Sequence, residues 1–198
     1  MFDSLNVNLI LTGQFAALEP LQAEHESDLL DAAADGELWN LHFTSVPTRD
    51  RISDYLTVAI ENRAQGLELP FVVRRLNDNK IVGTTRYYRI SPQNKSLSIG
   101  YTWYNKSAQR TAINTECKFM LLTHAFEVLN CVAVMWHTHH DNVRSQAAIE
   151  RLGAKLDGIL RADMILANGS IRDTYCYSML NSEWPAAKEF LTQRLATG

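Results

Sequence analysis

The stretch from Ser96 to Leu129 constrains this chain most, because its pattern changes period within a short distance. Ser96 to Tyr104 is rich in β-branched and aromatic residues and reads as a strand. From about Thr115 to Leu129 the apolar residues Phe119, Leu122, Ala125, Phe126 and Leu129 recur at helical spacing. Between them lies Gln109-Arg110-Thr111-Ala112-Ile113-Asn114. A strand, a short turn and a buried helix leave unpaired amide N–H groups at one point, and the helix dipole adds partial positive charge there. Such a corner is a ready site for a phosphate group, although many α/β proteins carry one without a ligand.

The rest of the chain supplies a sheet and helices around this unit. Val7 to Leu11 is β-prone and broken by Gly13, and Phe15 to Leu21 is a second short extended run. Glu24 to Ala34 predicts a short amphipathic helix, and Asp50 to Ala64 a longer one with Thr48 as its N-cap. Period two then takes over. Leu69–Leu76, Ile81–Ile90 and Ser96–Tyr104 read as an antiparallel meander joined by turns at Asn77-Asp78-Asn79 and Ser91-Pro92-Gln93-Asn94. Beyond the central helix, Val132 to Trp136 predicts a buried strand. Asn142 can cap a short helix closed by Gly153. Strands at about 155–162 and 171–180, joined by Ala167-Asn168-Gly169, and a last helix at about 182–195 complete one α+β domain over residues 1–198.

Composition excludes several classes. A net charge of −3 offers no basic footprint for nucleic acid. No apolar run approaches the ~18 residues of a membrane span, and the start lacks a secretory layout. Cys117, Cys131 and Cys176 form no C-x-x-C pair and no even set, which fits reduced thiols in a cytoplasmic protein.

Three segments carry a family likeness: Ile99-Gly100-Tyr101-Thr102-Trp103-Tyr104, the turn at 109 to 114, and Asn142 through Gly153, in which Asn, then Ser, precede an apolar helix ending in Leu-Gly. With the order of elements, they resemble the GNAT superfamily of acetyl-CoA-dependent N-acetyltransferases, within it the branch of ribosomal-protein N-terminal acetyltransferases. The resemblance runs from Leu9 through Trp184. It implies a mostly antiparallel mixed sheet flanked by helices, with Ser96–Tyr104 and Val132–His139 splayed to hold acetyl-CoA. One departure stands out. The family turn is usually Gln/Arg-x-x-Gly-x-Gly/Ala, and here Ala112 and Asn114 replace the small residues. Glycine permits close backbone approach to phosphate, yet both replacements can adopt helical conformation. Binding is therefore expected to be retained and weakened.

The resemblance also assigns roles. Tyr101, Thr102 and Trp103 would bond the pantetheine arm through their backbone. Gln109, Arg110, Thr111, Ala112, Ile113 and Asn114 would hold the pyrophosphate, with Arg110 adding charge. Asn142 would touch the pantetheine amide, and Ser145 would donate to the departing sulfur. Asp163 is the candidate to take the amine's proton. Glu116 is its rival, although a carboxylate in a first helical turn usually serves the dipole. Asp173 beside Arg172 reads as a structural ion pair. Trp39, His42 and Phe43 would roof the acceptor site, while burial in the core is the default for Trp39, Trp103 and Trp136. His137, His139 and His140 lack a third ligand of suitable spacing, so no metal is expected. The expected reaction is direct transfer of acetyl to a primary amine: a protein N-terminus, a peptide or a small molecule. A silent acyl-CoA-binding domain is the alternative, and association of two copies stays open.

Overall fold

In the computed structural model, residues 6–41, 43–44, 46–166 and 168–197 are described. Eight strands form a single sheet: β1 (Leu11–Thr12), β2 (Ala16–Pro20), β3 (Leu69–Arg75), β4 (Lys80–Ser91), β5 (Ser96–Tyr104), β6 (Ala133–His139), β7 (Lys155–Ile165) and β8 (Ile171–Leu180). Their order is β1-β2-β3-β4-β5-β6-β8-β7. Every neighbouring pair is antiparallel except β5 and β6. The helices are α1 (Glu26–Ala34), α2 (Ile52–Ala64), α3 (Ala112–Thr123), α4 (Val143–Glu150) and α5 (Trp184–Thr197). The expected meander is thus the middle of a longer antiparallel run.

Two apolar layers sandwich the sheet, and strand alternation divides side chains between them. Leu69, Phe71 and Val73 of β3 join Cys117, Leu121 and Leu122 of α3 and Trp184 and Leu191 of α5 in one layer. Val72 points the other way and joins Leu29 of α1 and Leu56 and Ala59 of α2. Covering on both faces explains why β3 reads as a continuous apolar run. The β7 edge lacks such cover, and Leu156, Ile159, Leu160, Met164 and Ile165 are exposed there.

Boundaries shift where local chemistry differs from pattern. α2 starts at Ile52, and its N-cap is Arg51, with no side-chain cap; the Thr48 carbonyl accepts the Arg51 N–H at 3.0 Å. The central helix begins earlier than expected, at Ala112, because the Thr111 hydroxyl caps it. It then widens into a π-turn at His124–Val128, where the Leu129 N–H reaches the His124 carbonyl at 3.0 Å. All three cysteines are free; Cys117 and Cys131 are fully buried.

α3 is tied to the first hairpin by Glu116. Its carboxylate accepts the backbone N–H groups of Gln14, Phe15 and Ala16 at 2.6, 2.8 and 2.8 Å. Gly13 is required beside it, since a Cβ there would lie 2.3 Å from the Glu116 carboxyl carbon. Glu116 is therefore a buried clamp on the strand turn, in place of the dipole partner or base read from sequence. Glu116→Ala would strand three N–H groups, and a loss of about 3 kcal/mol or more is expected. Urea unfolding checks this; an unchanged midpoint would contradict the clamp.

Candidate active site

β5 and β6 pair only at Ser96↔Ala133, Leu97↔Val134 and Ser98↔Met135. Beyond that point β6 stays with β8 through His139 and β5 stays with β4 through Tyr104, so the two strands diverge. Between them opens a cavity of about 1550 Å³. The facing edges past Ser98 and Met135 have no ladder partner in each other, which leaves backbone donors and acceptors for an extended amide chain. β5 is also bulged: Gly100 opposes Arg86 and Trp103 opposes Thr84, so Tyr101 and Thr102 together face Thr85. Tyr101 is left-handed there, with φ 51°, and its carbonyl accepts the Thr84 hydroxyl at 3.0 Å.

At the cavity's other end lies the turn before α3. The left-handed residue of this turn is Arg110, φ 62°, whereas Ala112 and Asn114 are helical. The altered positions therefore need no glycine conformation, and the first-turn amides stay directed outward as at any helix start. Gln109 braces the turn: its amide nitrogen donates to the Tyr104 carbonyl at 2.8 Å, and its oxygen accepts from Arg144 at 2.7 Å. Arg110, Arg144, Arg151 and Arg194 line this end of the cavity. Four guanidinium groups beside a helix start form an anion site despite the chain's net negative charge.

Of the residues singled out from sequence, Phe43, Tyr101, Thr102, Trp103, Gln109, Arg110, Thr111, Ala112, Asn114, Asn142, Ser145 and Asp163 line the cavity. Ile113 does not; its side chain is buried in the core and its N–H donates to the Thr111 hydroxyl. Trp39 does not either, and packs against the α1–α2 layer, as its size favours. Leu38, Leu41 and Val46 line that wall instead. His42 lies outside the described residues. Asn142 caps α4 by accepting the Ser145 N–H at 3.1 Å. Asp163 is exposed on β7 rather than buried. The Arg172–Asp173 ion pair is replaced by two local bonds: Asp173 accepts the Ala162 N–H at 2.8 Å and Arg172 donates to Thr174 at 2.9 Å.

The histidines partition. His137 sits on the cavity wall, where Arg89 donates to its Nε2 at 3.2 Å; Nδ1, 3.0 Å from the Tyr88 hydroxyl, then carries the proton of a neutral ring. Burial, with Arg89 and Arg172 nearby, lowers its pKa, in keeping with that tautomer. Burial pushes Tyr88 up to about 12. His139, His140 and Asp141 bring ligand atoms within 4.8 Å of one another, so Asp141 is the third group that spacing alone did not suggest. Both Nδ1 atoms already accept backbone N–H, from Asp141 at 3.0 Å and Asp173 at 3.1 Å.

Three charged groups escaped the sequence reading. Arg86 is buried, pairs with Glu68 at 2.6 Å, and lies over the Tyr101 ring at 4.0 Å. Lys118 is buried among the hydroxyls of Thr85 and Thr102. Its signal was present: it shares a helix face with Leu122, Ala125 and Leu129, where a charge is out of pattern. Arg86 alternates within a β-strand and gave no such sign.

The profile of the acetyltransferase (GNAT) domain family matches residues 17–155. A Bacillus subtilis (strain 168) protein, YdaF, whose name describes a prospective ribosomal N-acetyltransferase, is 32% identical over 113 residues; these are 57% of this chain and 61% of that protein. The chain thus spans under two thirds of that relative's length. A GCN5-related N-acetyltransferase from Brucella melitensis superposes with a TM-score of 0.85 at 31% identity, over 95% of this chain and 86% of that one. The ribosomal L7/L12 α-N-protein acetyltransferase RimL shares the fold, with a TM-score of 0.77 at 21% identity over 87% and 93% of the two chains.

Removing one member of the Arg86–Glu68 pair leaves a buried charge. Glu68→Leu is expected to cost about 3–5 kcal/mol, and Glu68→Leu with Arg86→Met to recover most of it. Thermal or urea unfolding of the three proteins checks this; equal losses in single and double variants would refute it.

Proposed function

This chain belongs to the acetyltransferase (GNAT) domain family, and on that premise we propose that it is an acetyl-CoA-dependent N-acetyltransferase acting on a primary amine. The observation that carries the reading is the divergence of β5 from β6 onto the arginine-lined turn. A pantetheine arm has the dimensions and amide spacing to run along the unpaired β5 edge at Tyr101–Trp103. Its pyrophosphate would meet the amides of the α3 start with Arg110. Bound acetyl-CoA supplies an activated acetyl group.

The chain's own residues then have separate tasks. Asn142 and Ser145, one helical turn apart, flank the thioester end; the Ser145 hydroxyl would donate to the departing sulfur as negative charge grows there. Asp163, exposed on the cavity wall, would draw in the positively charged amine and hold it near neutral pH. Leu41, Phe43 and Val46 would shape the acceptor's neighbourhood. A protein α-amino group is the acceptor favoured here, because the YdaF name describes a ribosomal substrate. Such an acceptor, with three free thiols, fits a cytoplasmic setting.

Titration calorimetry with acetyl-CoA, then mass spectrometry of an amine and peptide-N-terminus panel, tests the reading. Binding with amine-dependent transfer is expected; binding without transfer on any amine would favour a silent acyl-CoA-binding domain. Arg110→Ala should weaken acetyl-CoA binding, more at low salt than at high, since its part is charge on phosphate. Salt-independent loss would contradict that role. Asp163→Asn should raise the amine KM several-fold at neutral pH with kcat nearly kept. A wild-type KM would remove Asp163 from amine capture.

A further inference from the structure

We propose that Lys118, through the Thr102 hydroxyl, is the proton acceptor for the incoming amine, an inference that rests on the N-acetyltransferase reading above. Lys118 projects from α3 to the underside of the β5 bulge. Its Nζ lies 2.6 Å from Thr102 Oγ1 and 3.1 Å from Thr85 Oγ1, and the two hydroxyls are 2.8 Å apart. Lys118 and Thr102 both line the cavity; Thr85 is fully buried. The bulge thereby puts one hydroxyl between a buried amine and the cleft.

Nothing around this amine compensates a positive charge. On α3, Glu116 is committed to three backbone N–H groups, and the Cys117 thiol, pushed up to about 12 by burial, is neutral. On β4, Arg86 pairs with Glu68, away from Lys118, and the Tyr87 hydroxyl donates to the Leu121 carbonyl. On β5, Tyr101 lies against Arg86, and Tyr104, buried beside Cys117, is held neutral by burial. Burial lowers Lys118 from 10.5 to about 7. A base poised near neutrality suits general-base work.

The step balances without other reactants. A neutral lysine has two N–H donors and one lone pair, so the 2.6 Å contact can run in either direction. The substrate ammonium gives a proton to the Thr102 oxygen while that hydroxyl passes its own to Nζ. The freed nitrogen lone pair attacks the thioester carbonyl carbon. As the C–S bond breaks, sulfur leaves with the bonding pair and takes the nitrogen's second proton. Lys118 returns its proton to solvent by the same hydroxyl, so one ammonium and one thioester become an amide, a thiol and a proton.

Thr102→Val keeps the shape and removes the relay; about a hundredfold fall in kcat is expected, with Thr102→Ser retaining most activity. Lys118→Met and Lys118→Arg should show the same loss, with amine KM little changed. The limb near pH 7 should vanish from their kcat profiles, leaving only the acceptor's own alkaline limb. If the lysine variants do not fold, Thr102→Val decides, and wild-type turnover in it overturns the relay. Folded Lys118→Arg with the wild-type profile overturns it as well.

A second measurement needs no turnover. The unfolded lysine keeps its proton up to about 10.5 and the folded one releases it near 7. Unfolding therefore takes up a proton between those values, and stability rises with pH across that window. Wild type should gain on Lys118→Met in urea unfolding from about pH 7 to about pH 10; a flat difference overturns the relay. Wild type that binds acetyl-CoA and acetylates no amine overturns the transfer reading and the relay with it. Normal transfer in Thr102→Val overturns the relay alone.

Discussion

Everything in the cleft depends on where two parallel strands stop pairing. β5 and β6 share three residue pairs and then part, although each keeps its other neighbour. A sheet seldom leaves two inner edges unbonded, because unpaired buried N–H and C=O groups are costly. Here the cost falls on backbone lined by a large cavity, where solvent or an extended amide can meet those groups. The bulge at Tyr101–Thr102 enlarges the separation and turns the β5 backbone toward the opening. Fold and binding surface therefore have one cause.

Charged side chains buried beside the cleft maintain that arrangement. Glu116 ties the α3 start to the first hairpin, Gln109 links the turn to β5 and to Arg144, and Arg86 with Glu68 backs the Tyr101 ring. Each holds backbone or ring geometry that apolar contact alone would leave free to slide. Lys118 differs, because it has hydroxyl partners and no countercharge. A buried amine so placed lowers stability below its unfolded pKa, which is easier to understand at a working site than in a core.

Much of this was legible in the sequence, and the failures have physical causes. The Ser96–Tyr104 strand matches at both ends because its pattern and flanking turns agree. The anion corner was visible because a strand and a helix meet there. The left-handed residue was misplaced, since only coordinates reveal that Arg110, and neither altered small-residue position, takes positive φ. Ile113 and Trp39 left the site because side-chain direction, not proximity in sequence, decides lining. Glu116 was read by its distance along a helix, while its partners are about a hundred residues away in the chain. Arg86 could not be found, because period two gives the same signal whether a cation meets water or a carboxylate.

The π-turn at His124–Val128 has a consequence for how this chain can change length. It holds one residue more than an α-helix needs over that span, and Ala125 and Phe126 within it are buried. Deleting a residue there would let the helix close to regular winding, rotating the downstream segment by roughly 100° about the helix axis relative to the upstream one. Leu129 and Cys131 would then leave their places in the core, although no hydrogen bond in the helix need be lost. The π-turn thus acts as a phase marker. It sets the angular frame in which α3 delivers its cleft-facing residues at one end and the next strand at the other.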